Sequence, residues 1–242
     1  MQTLTRLTTC ADAEAAADRA AADIARYLTS TREQRGVAHV ALSGGSTPLR
    51  TYELLGERPA ELEGAEVWFA DERCVAPEDE QSNYRLVAET LLAPAGIEPE
   101  LVHRMRGELG PEEGARSYAQ ALREGLSGVQ ELPVLDLIVL GIGPDGHVAS
   151  LFPGSPALDA GDDVLCLGVR DSPKPPPERI TLSLAVLRAA RRCLLLATGA
   201  NKADAIDAML GEPSRHVPAS LLRRERLTVI VDDAAAPRGP RS

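Results

Sequence analysis

Aromatic residues and lysines are both scarce in this chain of 242 residues. Phenylalanine, tryptophan and tyrosine make up only 3% of it, so alanine, valine, leucine and isoleucine must build most of any core. Of the 26 basic residues, only Lys174 and Lys202 are lysines. An ammonium group is a compact point charge whereas a guanidinium is a planar fork. Isolated lysines in an arginine-rich chain are therefore candidates for a site that needs the compact charge.

Several classes of protein are disfavoured by what the chain lacks. Its four cysteines are dispersed, without a CxxC pair or a zinc-type spacing to histidine, which argues against a disulfide framework and a metal site. The sequence shows no N-terminal targeting pattern and no apolar run of about 18 residues, which predicts a cytoplasmic protein without membrane association. The net charge of −10 argues against nucleic acid as a partner, although a local group of cations can still bind a small anion.

Strands and helices alternate along the chain with short connections. Strands are predicted from apolar runs near 37–42, 67–70, 135–140, 164–169, 193–198 and 227–231, with a further short one at 102–105. Helices are predicted near 11–27, 47–55, 83–92, 111–125 and 201–210. No linker or repeat divides the chain, and its tail from about residue 234 is expected to fray. We therefore predict a single α/β domain over residues 1–242, with a mostly parallel sheet and helices on both faces.

One segment combines a buried strand with chemically useful residues. The apolar run 135–140 leads into a glycine-rich turn that holds Asp145 and His147. Because ligands bind beyond the carboxyl ends of parallel strands, both residues are expected at an active site, with His147 as a general base. The remaining histidines lack this setting and are predicted to be structural or surface residues; they are His39, His103 and His216.

A second element of a site is the glycine-rich turn between the strand predicted near 37–42 and the helix predicted near 47–55. Backbone N–H groups at the start of a helix favour an anion, and two hydroxyl groups add donors. Thr47 is expected to cap this helix, with Pro48 at its first position. The residues predicted to bind phosphate here are Ser43, Gly44, Gly45, Ser46 and Thr47.

Charged residues follow other predicted strands at the same edge of the sheet. Asp71 and Arg73 come after the strand near 67–70, and Lys202 comes after the strand near 193–198. Together with Arg179, these cations would bind a phosphate well if the fold brings them to the glycine-rich turn. The plainer alternative is that they are unrelated, solvated surface charges.

Six segments taken together resemble the 6-phosphogluconolactonase family, within the wider group that includes glucosamine-6-phosphate deaminases. Among them are Leu-Ser-Gly-Gly-Ser-Thr-Pro at 42–48, Trp-Phe-Ala-Asp-Glu-Arg at 68–73 and Gly-Ile-Gly-Pro-Asp-Gly-His-Val-Ala-Ser-Leu-Phe-Pro at 141–153. The other three are 82–84, 172–182 and 197–202, and all six occur in the family's order. The resemblance implies a Rossmann-like fold of the sugar-phosphate isomerase/lactonase type.

This resemblance also implies an activity, the hydrolysis of 6-phosphoglucono-1,5-lactone to 6-phosphogluconate in the oxidative pentose phosphate pathway. It implies neither a metal nor an organic cofactor. A sugar-phosphate lactone is the expected partner, and a monomer is expected because no long exposed apolar helix is apparent. His147 would deprotonate the attacking water, and either Asp71 or Asp145 would orient the histidine or a sugar hydroxyl.

The resemblance does not divide the cations between the two anions of the reaction. The glycine-rich turn, Arg179 and Lys202 would hold the phosphate, and Arg73 is a candidate for stabilising the oxyanion. Which cation serves which anion stays open in the sequence, as does the role of Lys174.

Three alternative functions fit the residues less well. Residues 141–146 match GxGxxG, but Pro153 would end the helix that a dinucleotide site needs. Deaminases of the wider group carry a segment that resembles Gly-His-Ile-Ala-Phe-Asn-Glu-Pro, in which the glutamate supports the histidine in ring opening. Here Phe152 stands at the glutamate position, so the chain lacks this group of the deaminase mechanism. A sugar-phosphate sensor would carry a DNA-binding helix-turn-helix, whereas the segment before the first predicted strand is alanine-rich and acidic.

Overall fold

The computed structural model describes residues 5–126 and 132–237. The strands are β1 Arg6–Cys10, β2 Ala38–Leu42, β3 Ala65–Phe69, β4 Asp71–Arg73, β5 Leu137–Gly141, β6 Cys166–Val169, β7 Arg179–Leu182, β8 Arg192–Ala197 and β9 Leu227–Asp232. The α-helices are α1 Ala13–Arg35, α2 Ser46–Gly56, α3 Pro59–Leu62, α4 Asn83–Val87, α5 Ala93–Ala95, α6 Pro111–Gly125, α7 Leu184–Ala189 and α8 Ala203–Leu210. A π-helical stretch, Ala88–Leu92, joins α4 to α5.

Six of the strands form one parallel sheet in the order β1-β9-β8-β5-β2-β3. Nearly every side chain of the interior strands β5, β8 and β9 is buried. Strands buried on both faces need apolar residues at successive positions, which explains their uninterrupted apolar runs. The predicted α/β fold with a mostly parallel sheet is confirmed.

Helix α1 shows how a core poor in aromatic residues is built. Its buried stripe is mainly alanine, with Ile24 and Leu28 as the larger members, so the helix can lie close to the sheet. Asp12 caps its start by accepting the N–H of Ala15 at 2.8 Å. The helix extends eight residues beyond the predicted end because Leu28 and Thr31 continue the buried stripe.

The structure departs from the predicted elements in several places, and β4, β7 and α7 are elements that the sequence did not predict. No local pattern predicts β1, because its residues are mostly polar and it pairs only with β9 at the sheet edge. The strand predicted near 102–105 is wrong, since only Val102 makes an isolated bridge, to Val67. The strand near 164–169 exists as β6, but it belongs to a separate antiparallel sheet in the order β4-β7-β6.

The order of the parallel strands creates a crevice between β2 and β5. From β2 the chain goes to β3 on one side, whereas β8 and β9 lie beyond β5 on the other. The loops after β2 and β5 therefore leave the sheet in opposite directions and border a crevice at the carboxyl ends of the strands. The small antiparallel sheet starts directly after β3 and forms a further wall, so charged residues from distant segments meet there.

The end of the described chain is packed. Ala235 is fully buried and donates its N–H to Asp232, while residues 238–242 of the expected fraying tail lie outside the described residues. Within the described ranges no helix has both the length and the apolar character needed to cross a membrane.

Candidate active site

A cavity of about 260 Å³ occupies the crevice between β2 and β5. Ten of the eleven predicted site residues line it, and the eleventh, Asp145, contacts one of those ten. The ten are Ser43, Gly44, Gly45, Ser46, Thr47, Asp71, Arg73, His147, Arg179 and Lys202. None of the other three histidines lines this cavity; among them, His103 stacks on Trp68 and hydrogen-bonds to Glu66.

His147 and Asp145 form a hydrogen-bonded pair. The His147 Nδ1 and Asp145 Oδ1 atoms are 2.5 Å apart, and the imidazole is only 15% exposed. Burial lowers the pKa of His147, and the nearby Lys174 lowers it further, while the bond to Asp145 acts in the opposite direction; the net shift is downward. Burial raises the pKa of Asp145, but the bond and charge of His147, together with Lys174, outweigh it and bring that pKa below its usual value.

The turn between β5 and His147 leaves room for this pair only because residue 143 is glycine. A Cβ atom on Gly143 would lie 2.0 Å from His147 Nδ1 and 2.3 Å from Asp145 Oδ1. On another side the imidazole packs against the Phe152 ring, with the two centroids 4.6 Å apart. Backbone, carboxylate and phenyl ring together define the position of the imidazole.

Asp71 is held by a different set of contacts. Its Oδ2 accepts a hydrogen bond from Ser150 Oγ at 2.7 Å, and its Oδ1 accepts one from Asn83 Nδ2 at 3.3 Å. Asp71 is buried, yet it reaches the cavity wall. Of the two carboxylates proposed to orient the histidine, Asp145 is therefore the one in contact with it, and Asp71 is placed to meet a bound ligand.

The glycine-rich turn after β2 differs from the predicted cap. Helix α2 begins at Ser46 with Gly45 as its N-cap and no side-chain cap, so the expectation that Thr47 caps the helix is wrong. The positive φ of Gly45, 107°, turns the chain into the helix earlier than predicted. Ser46 and Thr47 at the start of α2 line the cavity, and no side chain caps the first N–H groups of the helix, an arrangement that suits an anion.

Two arginines lie opposite each other on neighbouring strands of the small antiparallel sheet. Arg73 and Arg179 are register partners in β4 and β7. Arg73 donates through one terminal nitrogen to the Gln81 carbonyl at 2.6 Å, whereas its buried Nε has no partner among the described residues. Burial lowers the pKa of Arg179, whose guanidinium donates to the carbonyl groups of Lys174, Pro175 and Pro176. Arg179 thus supports the proline-rich loop as well as lining the cavity.

Both lysines of the chain line this one cavity. Lys202 Nζ donates to the Ile142 carbonyl at 2.8 Å, and Lys174 Nζ lies 3.8 Å from Asp145 Oδ1. Burial lowers the pKa of Lys202, and repulsion from Lys174 adds to this effect. Both of the chain's rare lysines therefore line the candidate site, and Lys174 is one lining residue to which the motifs alone assigned no role.

Sequence reasoning missed the residues that hold Asp71. The buried Glu72 accepts the N–H groups of Asn83 and Tyr84 at 2.7 Å each, which fixes the start of α4. Asn83 can then reach Asp71, and it lies so close to Gly44 that a Cβ there would be 1.8 Å from Asn83 Oδ1. The segment at 82–84 is one of the six that resemble the family, and this resemblance was the sequence signal that could have identified Asn83 as a partner of Asp71.

Comparison with known proteins agrees with this geometry. Residues 11–231 match the family described as Glucosamine-6-phosphate isomerases/6-phosphogluconolactonase. The chain belongs to this family. A 6-phosphogluconolactonase of Streptomyces coelicolor is 37% identical to this family member, over 96% of the chain and 93% of the relative. A 6-phosphogluconolactonase of Homo sapiens is 40% identical over 74% of the chain and 69% of the relative.

Solved structures give the same result for the fold of this family member. A 6-phosphogluconolactonase from Trypanosoma cruzi matches it with a TM-score of 0.86 and 26% identity, covering 97% of each chain. The family resemblance inferred from the six segments is confirmed, and so is the Rossmann-like fold that it implies.

Proposed function

We propose that this chain hydrolyses 6-phospho-D-glucono-1,5-lactone to 6-phospho-D-gluconate, with His147 as the general base. Family membership and relatives that are named 6-phosphogluconolactonases support the reaction class. The observation that carries the proposal is the His147–Asp145 pair, which faces a cavity lined by four cationic side chains. These are Arg73, Lys174, Arg179 and Lys202.

The hydrogen bond to Asp145 selects the nitrogen of His147 that acts as base. A carboxylate accepts a hydrogen bond, so Nδ1 carries the proton and Nε2 carries the free lone pair. Nε2 takes a proton from water as the water oxygen attacks the lactone carbonyl. The tetrahedral intermediate then collapses, the bond from the carbonyl carbon to the ring oxygen breaks, and His147 returns its proton to that oxygen.

The cations of the cavity match the two negative charges of this reaction. The substrate carries a phosphate, and the carbonyl oxygen becomes an oxyanion in the intermediate. Four cations and the uncapped start of α2 surround the cavity in a protein whose overall charge is −10, so the attraction for an anionic ligand is local. Binding of the phosphate would position the distant carbonyl next to His147.

The alternatives lack equivalent support in the structure. Phe152, at the position of the deaminase glutamate, packs on the imidazole as an apolar ring and offers no group to polarise it. For a DNA-binding sensor, the described segment before β2 would need to be a separate module. Instead β1 belongs to the main sheet and α1 packs against it.

The proposed reaction is tested by generating the lactone in situ and following its loss. Purified protein is expected to accelerate the decay well above spontaneous hydrolysis, in proportion to protein concentration. The unphosphorylated lactone should be a much poorer substrate, because it forfeits the interactions with the cations. Decay at the spontaneous rate across protein concentrations would show that the proposal is wrong.

The pH dependence of kcat/KM should report the altered pKa of His147. Because that pKa is lowered, the base stays neutral and active below the ordinary histidine value of about 6.5, and activity falls only as the pH drops through the lower value. Asp145→Asn removes the negative charge that raises the pKa of His147, so the acidic limb of the profile should move to still lower pH. Lys174→Gln removes the positive charge that lowers the pKa of His147, so the acidic limb should move to higher pH.

These two variants form a matched pair because their shifts have opposite signs. The measurement is kcat/KM between about pH 5 and 8 for the wild type and both variants, corrected for spontaneous hydrolysis at each pH. Shifts of the same sign, or no shift in either variant, would contradict the assignment of the acidic limb to His147.

A further inference from the structure

A second cavity, of about 280 Å³, lies at the opposite end of the main sheet from the candidate active site. The strand register defines its floor: Leu137 is paired with Arg192, Leu194 with Thr228, and Thr228 with Arg6. Register partners on neighbouring strands point to the same face, as do residues two apart on one strand. These five side chains therefore share one face, near the amino ends of their strands.

Helix α1 forms the other wall of this amino-end cavity. Asp23, Arg26, Tyr27 and Ser30 line it, and their spacing of three, four and seven residues places them on one stripe of the helix. This stripe runs beside the buried alanine-rich stripe. Polar side chains at these positions leave the junction of helix and sheet open, where apolar residues would close it.

The charges in the amino-end cavity do not balance. Arg26 forms an ion pair with Asp23, the one acid that lines the cavity among the described residues. In the described ranges, neither Arg6 nor Arg192 has a carboxylate within 4.0 Å. The Arg192 guanidinium lies over the Tyr27 ring, 5.1 Å from its centroid, and Tyr27 is itself anchored by donating its hydroxyl to the Asp136 carbonyl.

We propose that the amino-end cavity is a second anion site, which binds a phosphate group through Arg6 and Arg192. Two unpaired guanidinium groups provide the charge and the paired donors that a phosphate dianion accepts. Tyr27 holds one of them in place, and Leu137 and Leu194 provide an apolar floor that limits the access of water. The group belongs either to free phosphate or to a small phosphate monoester, since the chemistry of recognition is the same.

This site is separate from the candidate active site. Leu137 lines the amino-end cavity, whereas Gly141 of the same strand lines the other one. At a rise of about 3.3 Å per residue, four steps along β5 separate them by roughly 13 Å. One phosphate cannot occupy both places, so the proposal does not depend on the lactonase activity.

The test is an NMR titration of the full chain with inorganic phosphate. In the wild type we expect two groups of backbone amide signals to shift and saturate, one at 43–47 and one around Leu194 and Thr228. In Arg6→Gln/Arg192→Gln the second group should lose affinity by roughly tenfold or more, while the first titrates as before. Both arginines are exposed, so these substitutions leave the core intact. Arg123→Gln, which removes an exposed charge from α6, is the control and should leave both groups unchanged.

The same titration with glycerol 1-phosphate separates the two sources of the phosphate group. Tighter binding of the ester at the amino-end cavity indicates a monoester ligand, and tighter binding of inorganic phosphate indicates the free ion. Absence of shifts around Leu194 and Thr228 with both probes, or shifts that persist in the double variant, would overturn the proposal. Lactone hydrolysis by the double variant should equal that of the wild type, so failure of this proposal is distinguishable from failure of the lactonase proposal.

Discussion

His147→Ala is expected to lower kcat for lactone hydrolysis by ~10²–10⁴-fold, the usual contribution of a general base. The substitution removes the lone pair at Nε2 that accepts the proton of water. It leaves the glycine-rich turn and all four cations of the cavity in place, so affinity for the product 6-phosphogluconate should change little. The measurements are kcat after subtraction of spontaneous hydrolysis and the Kd of the product.

A control is needed because His147 also packs against Phe152. His216→Ala removes an exposed histidine that does not line the cavity, and its activity should match the wild type. Added imidazole should restore part of the activity of His147→Ala, since it can replace the missing base in the space left behind. A His147→Ala variant that folds and keeps the wild-type kcat would rule out the general-base role.

Gly143→Ala is the second substitution with a large expected effect. The added Cβ would collide with the imidazole and with the Asp145 carboxylate, so the pair must move apart or shift away from the cavity. Misplacement of a catalytic group by about 1 Å can cost roughly 10²-fold in rate. We therefore expect kcat to fall by about that factor, although every catalytic side chain is still present.

Gly141→Ala is the matched control for this effect. It is the last residue of β5, two positions before Gly143, and apart from its chain neighbours a Cβ there has no heavy atom within 4 Å. Because Gly141 lines the cavity, the comparison is made on kcat and not on KM, and its kcat should stay close to that of the wild type. Equal activity of both variants would mean that the close approach at Gly143 does not position the histidine, and an equal loss in both would indicate damage to the turn in general.

The candidate site could be located from the sequence because its main parts follow strands. Buried parallel strands have a strong local signal, an uninterrupted apolar run, and the carboxyl ends of such strands meet at one edge of the sheet. The run at 135–140 and the glycine-rich turn at 43–46 therefore predicted where His147 and the start of α2 would lie. Family resemblance added the reaction, which periodicity alone cannot indicate.

The details of contact could not be predicted, because they depend on pairing between distant segments. The antiparallel sheet that places Arg73 opposite Arg179 joins residues more than a hundred positions apart. Asp71 is held by Ser150, 79 residues away in sequence. Local patterns contain no information on such partners, which is also why β1, a short polar strand at the edge, has no sequence signal.

By itself, the sequence determined the parallel α/β architecture and the edge of the sheet where the chemistry lies, through hydrophobic periodicity and glycine-rich turns. It also singled out the two lysines, whose rarity marked the cavity that both line. Only the tertiary structure decided that Asp145 contacts His147 and that Arg179 supports the proline-rich loop. The physical reason is that a hydrogen bond depends on a few tenths of an ångström, and residue types and spacing do not define the backbone and side-chain geometry of a turn or loop to that precision.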